Sequence, residues 1–104
     1  MSGGSHKVTE EQVEQVRALV AAIPAGKVST YGDIADVAGL SSPRIVGWIM
    51  RTDSSDLPWH RVITASGKPA THLATRQLER LRAEGVLAVD GRVPLREYRH
   101  QFCR

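Results

Sequence analysis

The chain has 104 residues and a formal net charge of +3, so we expect one domain with a real core and no room for a second. Its only cysteine, Cys103, excludes an intramolecular disulfide and a cysteine-rich metal site. There is no secretory signal and no apolar run long enough to span a bilayer, so we predict a cytoplasmic protein with no membrane, cofactor or metal requirement.

The charges are segregated along the chain. Between Asp36 and Asp53 the only charged residues are Arg44 and Arg51, whereas the first predicted helix is acidic. This segregation favours a basic face that meets a polyanion, although a solvated surface of mixed charge is the ordinary alternative.

The N-terminal part is predicted to be a flexible tail (residues 1–8), followed by a single domain (residues 9–104). Thr9 and Gln12 have the spacing of a capping box. Apolar residues then recur every three or four positions and predict a scaffold helix of roughly four turns, with an inward stripe of Val13, Val16, Leu19, Val20 and Ile23.

The next segment predicts a helix-turn-helix. Thr30 can cap a short helix that Gly39 closes, and Ser42 can cap a second helix at residues 43–52 with Pro43 at its first position. In this motif the N-terminal residues of the second helix, here including Arg44, enter a groove of DNA. Helical hairpins also occur in proteins that never touch DNA, so the pattern alone leaves both readings open.

The most unusual stretch is Pro58-Trp59-His60-Arg61. A Trp beside a His and an Arg is a plausible floor for a flat, polar-edged ligand such as a nucleobase. The alternative is that Trp59 is a core residue and Arg61 a solvated charge, and the motif by itself leaves both possible.

The C-terminal part predicts a strand at residues 62–64, a helix at 73–84 that stops at Gly85, and a β-hairpin at 86–93 turning on Asp90-Gly91. A hairpin after a helix-turn-helix suggests a wing. The predicted fold is therefore mainly α with a small β component, a winged helix-turn-helix with a three-helix core, followed by a basic tail.

Three blocks of the chain carry a family resemblance. They are IPAGKVSTYGDIA (residues 23–35), RIVG (44–47) with Met50-Arg51, and PWHRV (58–62). In this order and spacing they resemble the DNA-binding domain of O6-alkylguanine-DNA alkyltransferases. Those enzymes have Pro-Cys-His-Arg, whereas here Trp59 takes the place of the acceptor cysteine. The chain thus resembles the alkyltransferase-like branch, which binds alkylated guanine without removing the alkyl group.

The substitution has a chemical consequence. Alkyl transfer needs a nucleophile that can become a thiolate, and the indole of Trp59 cannot supply one. In the enzymes that the chain resembles, the residues corresponding to His60 and the helix-borne Glu84 belong to a proton relay. With Trp59 present, we expect His60 and Glu84 to be structural. No catalytic residue is predicted.

The resemblance also implies binding roles. Arg44 would insert into the duplex in place of the extruded nucleotide, Tyr31 would crowd the phosphate beside it, and the recognition helix would lie in the minor groove. His72 is the position nearest to a loop cation that can lie over the flipped base, with a pH-dependent charge. The implied lesion pocket is Tyr31, Trp59, His60, Arg61, Val62 and His72, and the implied DNA contacts are Tyr31, Ser42, Arg44, Gly47 and Arg51.

Three functions follow as alternatives. The resemblance implies a monomeric, non-enzymatic sensor that flips O6-alkylguanine out of double-stranded DNA and directs it to nucleotide excision repair proteins. A sequence-specific winged-helix regulator is the second, since a fold does not determine a function. An alkyltransferase that uses Cys103 is the third, and it is disfavoured because that thiol lies outside any histidine-paired motif.

Overall fold

The structure is a computed structural model that describes residues 8–69 and 73–102. Its α-helices are α1 (Glu10–Ala21), α2 (Tyr31–Ala38), α3 (Pro43–Thr52), α4 (Ala74–Ala83) and the short α5 (Leu95–Tyr98), with a 3-10 helix at Trp59–Arg61. Two short strands, β1 (Ser29–Thr30) and β2 (Val62–Ile63), complete it. The predicted tail lies outside the described residues apart from Val8, and no helix within these ranges is long and apolar enough to cross a membrane.

The first helix begins where its capping box predicts. The Thr9 side chain accepts from the Gln12 amide and the Gln12 side chain accepts from the Thr9 amide. The helix ends at Ala21, shorter than the predicted four turns, because Pro24 disfavours a helical conformation at Ile23. Ile23 is nevertheless buried, so the apolar stripe continues past the end of the helix.

The helix-turn-helix is confirmed, with both caps as predicted. The Thr30 hydroxyl accepts from the amide of Asp33 at 3.0 Å, and the Ser42 hydroxyl accepts from the amide of Arg44 at 3.1 Å. Gly39 ends α2 at φ 71°, a left-handed conformation that glycine adopts without steric cost. These local signals determine where α2 begins and ends and where α3 begins.

The core has two parts. The larger is built from α1, α2 and α3, and its fully buried members are Val16, Val20, Ile34, Val46, Ile49 and Val62. The smaller joins α4, β2, the residue before β1 and the segment after α4, and it contains Val28, Ile63, Leu81, Val86 and Val93. Because β2 contributes Val62 to one part and Ile63 to the other, its two faces join the parts.

The strands bring distant segments together. The strands β1 and β2 pair in parallel, with Ser29 opposite Val62 and Thr30 opposite Ile63. The chain after α5 pairs with Val28, whose amide donates to the Tyr98 carbonyl at 2.8 Å and whose carbonyl accepts from His100 at 2.7 Å. The small sheet therefore places the end of the PWHRV segment (residues 58–62, the Pro58 block) beside the start of α2.

The predicted hairpin is present only as its turn. Asp90 and Gly91 have φ of 53° and 77°, as a type I′ turn requires, and Val89 and Arg92 exchange hydrogen bonds of 2.8 and 3.1 Å. Pairing stops there because the next donor of an antiparallel ladder would be residue 94, and Pro94 has no N–H. The Val93 amide faces away from the hairpin partner and donates to the Gly67 carbonyl at 2.8 Å. The wing is thus a tight turn rather than a two-stranded ribbon.

Candidate functional site

Helix α4 binds the Pro58 block through hydrogen bonds. The side chain of the buried Gln77 donates to the carbonyls of His60 at 3.1 Å and Val62 at 2.7 Å. These two bonds satisfy backbone acceptors that the short 3-10 helix leaves without helical partners. One buried amide on α4 therefore determines how the block sits.

Glu84, at the end of α4, joins two residues of the block. Its carboxylate accepts from Arg61 Nε and Nη2 at 3.0 and 2.6 Å and lies 2.9 Å from His60 Nε2. Arg61 Nη1 also donates to the Ile23 carbonyl at 2.8 Å. The Arg61 guanidinium, followed by His60, lowers the pKa of Glu84 from 4.5 to about 2. Glu84 is therefore ionised at neutral pH.

His60 has one ring nitrogen engaged and one free. Because the Glu84 carboxylate can only accept, Nε2 carries the proton of that hydrogen bond. Nδ1 is buried and has no hydrogen-bond partner among the described residues. The neighbouring Trp59 meets the imidazole edge-on, with the ring centroids 6.1 Å apart and the planes at 88°.

Two arginines of α4 cover the Trp59 ring. The guanidinium carbons of Arg76 and Arg80 lie 5.9 and 5.4 Å from its centroid, within the range of a cation-π contact. Together with Glu84 they occupy every fourth position of α4 and so share one face of the helix. The ring is partly buried and forms part of a cavity wall, so Trp59 is more than a core residue.

The cavity is a cleft of about 380 Å³ between α3 and α4. Its wall comprises Tyr31, Gly47, Met50, Arg51, the segment 52–55, Trp59, Leu73, Arg76 and Gln77. Burial raises the pKa of the Tyr31 phenol, so it enters the wall as a neutral hydrogen-bonding group. The combination of two aromatic rings with the positive charges of Arg51 and Arg76 suits a flat, polar-edged ligand.

The predicted pocket residues divide into two layers. Tyr31 and Trp59 line the cavity, whereas His60, Arg61 and Val62 lie behind the wall, where Gln77 and Glu84 bind them. Val62 is fully buried and pairs with β1, so it supports the site from the core. His72 lies outside the described residues.

Four of the five predicted DNA contacts lie on α3 or cap it, whereas Tyr31 begins α2. Arg44 is exposed at the N-terminus of α3 and Arg51 is exposed at its C-terminal end, and neither forms an ion pair within the described part of the chain. Ser42 contributes its cap hydroxyl, so its direct role in the structure is to begin α3. A Cβ added at Gly47 would meet nothing within 4 Å, so glycine is not required there by packing and leaves the cavity wall open.

Other arginines are engaged by carboxylates. Arg17 of α1 bridges to Asp53 and Asp56 and so restrains the segment that closes the cavity after α3. In the basic C-terminal segment, Arg99 makes a two-bond fork with Asp33 at 2.8 and 2.7 Å, which is the main reason that the pKa of Asp33 is lowered. The fork with Asp33 uses two of the five guanidinium N–H donors and offsets the charge of Arg99, so Arg99 is a weaker candidate for a DNA contact.

The sequence reasoning missed the role of two α4 arginines. Arg76 and Arg80 are exposed and were assigned no role from the sequence, but both guanidinium groups lie over the Trp59 ring. The available signal was the spacing of four between Arg76 and Arg80 and again between Arg80 and Glu84, which places all three on one helical face. That face could be assigned to Trp59 only once the docking of α4 was known.

Similar sequences were found among characterised proteins. A DNA base-flipping protein of Escherichia coli is 40% identical over 97 residues, covering 86% of this chain and 74% of that protein. Alkyltransferase-like protein 1 of Schizosaccharomyces pombe is 40% identical over 84 residues, covering 74% and 78%.

Solved structures agree with the sequence matches. S. pombe Atl1 in complex with damaged DNA containing O6-carboxymethylguanine superposes with a TM-score of 0.78 at 34% identity, covering 92% of this chain and all of that one. The O6-methylguanine methyltransferase of Mycobacterium tuberculosis superposes with a TM-score of 0.63 at 31% identity, covering 81% of this chain and 53% of that one. The family described as 6-O-methylguanine DNA methyltransferase, DNA binding domain, matches residues 11–86. The chain therefore belongs to this DNA-binding family and, within it, to the alkyltransferase-like proteins that bind DNA and flip bases.

Proposed function

We propose that this protein is a non-enzymatic sensor that extrudes O6-alkylguanine from duplex DNA into the cavity between α3 and α4 and directs the lesion to nucleotide excision repair. The observation that carries the proposal is the indole of Trp59 on the cavity wall. By the resemblance of residues 58–62 to the Pro-Cys-His-Arg motif, Trp59 would stand where the alkyltransferases have their acceptor cysteine.

The chemistry of the wall argues against alkyl transfer. An indole N–H is a hydrogen-bond donor without a basic lone pair, so Trp59 cannot attack an alkyl carbon. The His60–Glu84 pair resembles a base with its orienting carboxylate, but the neighbouring residue has no proton that the pair could usefully remove. The pair keeps a structural task, because Glu84 also fixes Arg61.

The cavity is suited to holding a base. A purine that enters between Tyr31 and Trp59 gains aromatic contacts worth about 1 to 3 kcal/mol per base. Extrusion costs a few kcal/mol and less for a poorly paired base, so the two nearly balance. A lesion with weakened pairing shifts the balance toward the flipped state, which gives damage recognition without groove-edge readout.

On the duplex side, Arg44 would stabilise the state in which the base is extruded. It is the second residue of α3, exposed, and without an ion pair in the described structure, so its guanidinium can fill the gap that the extruded base leaves. Arg51 and Arg76 add positive charge at the cavity wall, where the phosphates of the strand must pass.

Transfer of the lesion to excision repair (hand-off) is expected because the complex itself cannot repair the lesion. A protein that binds the lesion without repairing it would shield it, so a benefit to the cell requires transfer to a system that removes nucleotides. A bent duplex with an extruded base is a larger distortion than an O6-alkyl group, and distortion can itself be recognised. Nucleotide excision repair proteins are therefore the expected partners, and the chain would act as a monomer.

The test combines chemistry with binding. With a duplex that carries labelled methyl at guanine O6, we expect no label on the protein and tighter binding than to the matched guanine duplex. Stoichiometric transfer that Cys103→Ser abolishes would establish the enzyme alternative. Equal affinity for both duplexes, with preference for a particular sequence, would instead establish a regulator.

A pair of Trp59 variants sharpens the test. Trp59→Phe keeps an aromatic platform and should keep most of the preference for the damaged duplex, whereas Trp59→Ala should lose it. Both variants should bind the undamaged duplex alike, because the matched base remains stacked in its helix. If Trp59→Ala keeps the preference, the lesion is not read on this wall.

A further inference from the structure

The helix α3 exposes a tryptophan that the cavity does not use. Trp48 is 48% exposed and has no ring contact within the described residues. The chain has only two tryptophans, and the other, Trp59, is packed under Arg76 and Arg80. Tryptophan is enriched where proteins contact their partners, and the exposed half of this ring is available for such a contact.

The position of Trp48 identifies the kind of partner. Arg44, Trp48 and Arg51 follow one another by four and three residues, so they share one face of α3, opposite the buried Val46 and Ile49. The helix contains no carboxylate, and neither arginine is paired with one in the residues that the structure describes. An aromatic ring between two free guanidinium groups matches a polyanion with apolar sugars, and a duplex has both.

The distances suit a contact close to the lesion. A helix rises about 1.5 Å per residue, so Trp48 lies about 6 Å from Arg44 along α3. That is close to two nucleotide steps of about 3.4 Å each along one strand. Minor-groove proteins commonly place apolar side chains against sugars and base steps, which widens and bends the duplex.

We propose that Trp48 is a second DNA contact of α3, whose indole packs against the sugars and base edges of the minor groove about two steps from the nucleotide that Arg44 replaces. This inference rests on the proposed placement of α3 in the groove. The contact is uncharged and lies outside the cavity, so it strengthens binding to damaged and undamaged duplexes equally. Lesion preference stays with the cavity.

Duplex affinity measured by fluorescence anisotropy tests the proposal. Trp48→Ala should weaken binding to both the O6-methylguanine and the matched duplex by about tenfold, equivalent to about 1.4 kcal/mol, with their ratio unchanged. Trp48→Phe should retain most of the affinity. Leu87→Ala is the matched control, since Leu87 is 55% exposed but lies beyond α4, and it should change neither affinity.

A spectroscopic measurement supplies an independent readout. In a Trp59→Phe background Trp48 is the remaining indole, and saturating undamaged duplex should protect it from acrylamide quenching. Unchanged affinity of Trp48→Ala for both duplexes, or a loss confined to the damaged duplex, would overturn the proposal. If the wild type fails to distinguish the duplexes while Trp48→Ala weakens both, the damage-sensor function fails and the Trp48 contact stands.

Discussion

Replacing Glu84 by glutamine should destabilise the fold in a way that depends on pH. Glutamine keeps the shape of the side chain but loses the charge that accepts from Arg61 and His60. A fall in the Glu84 pKa from 4.5 to about 2 corresponds to at most about 3.4 kcal/mol of stability. Because the Glu84 and Arg61 side chains are each 17% exposed, water screens part of this, and we expect about 2 kcal/mol at neutral pH.

The pH dependence has a definite sign. A carboxyl whose pKa is lower in the folded protein stabilises the fold fully above its unfolded value near 4.5, and the contribution disappears as the pH falls toward 2. Urea unfolding followed by circular dichroism should therefore show the wild type and Glu84→Gln converging between about pH 4.5 and pH 2. A difference that persists undiminished at about pH 2 would refute the charge-based explanation.

A control separates this pair from ordinary surface pairs. Asp56 also accepts from an arginine, Arg17, but its side chain is 62% exposed. Asp56→Asn should cost clearly less stability than Glu84→Gln at neutral pH, because solvent screens an exposed pair strongly. Equal losses would mean that the geometry around Glu84 adds nothing beyond a surface ion pair.

Three further predictions address binding and cellular role. Arg44→Ala should reduce base flipping, measured by 2-aminopurine fluorescence, by more than Arg92→Ala, which removes an exposed arginine of the Asp90-Gly91 turn; unchanged flipping would remove Arg44 from that role. Gly47→Ala should raise the free energy of unfolding by about 0.8 kcal/mol, since alanine favours helix and its Cβ meets open space, yet it should weaken binding of the damaged duplex at the cavity wall. Tighter lesion binding by Gly47→Ala would show that the wall is not part of the site. Deleting the gene should sensitise cells to alkylating agents but add nothing in cells that already lack excision repair, and full additivity of the two deletions would count against hand-off.

Local interactions explain why much of the fold was predictable. Thr9, Thr30 and Ser42 bond to amides two or three residues away, and Gly39 ends α2 by its own backbone conformation. Such signals act within one helical turn, so they can be recognised before any tertiary contact is known. The hairpin shows the limit: its turn residues behaved as predicted, but Pro94 cannot donate the next hydrogen bond of the ladder, and Val93 binds the Gly67 carbonyl of a distant segment.

That Trp59 cannot accept an alkyl group was also determined by the sequence alone, because the chemistry of an indole does not depend on its surroundings. Only the tertiary structure decided which residues of the Pro58 block line the cavity and which bind Glu84. Because of the way α4 docks, His60 and Arg61 bind Glu84, which lies 24 and 23 positions later in the chain, and Trp59 remains on the cavity wall. Periodicity shows which residues share a helical face, but the partner of that face depends on how the whole chain packs.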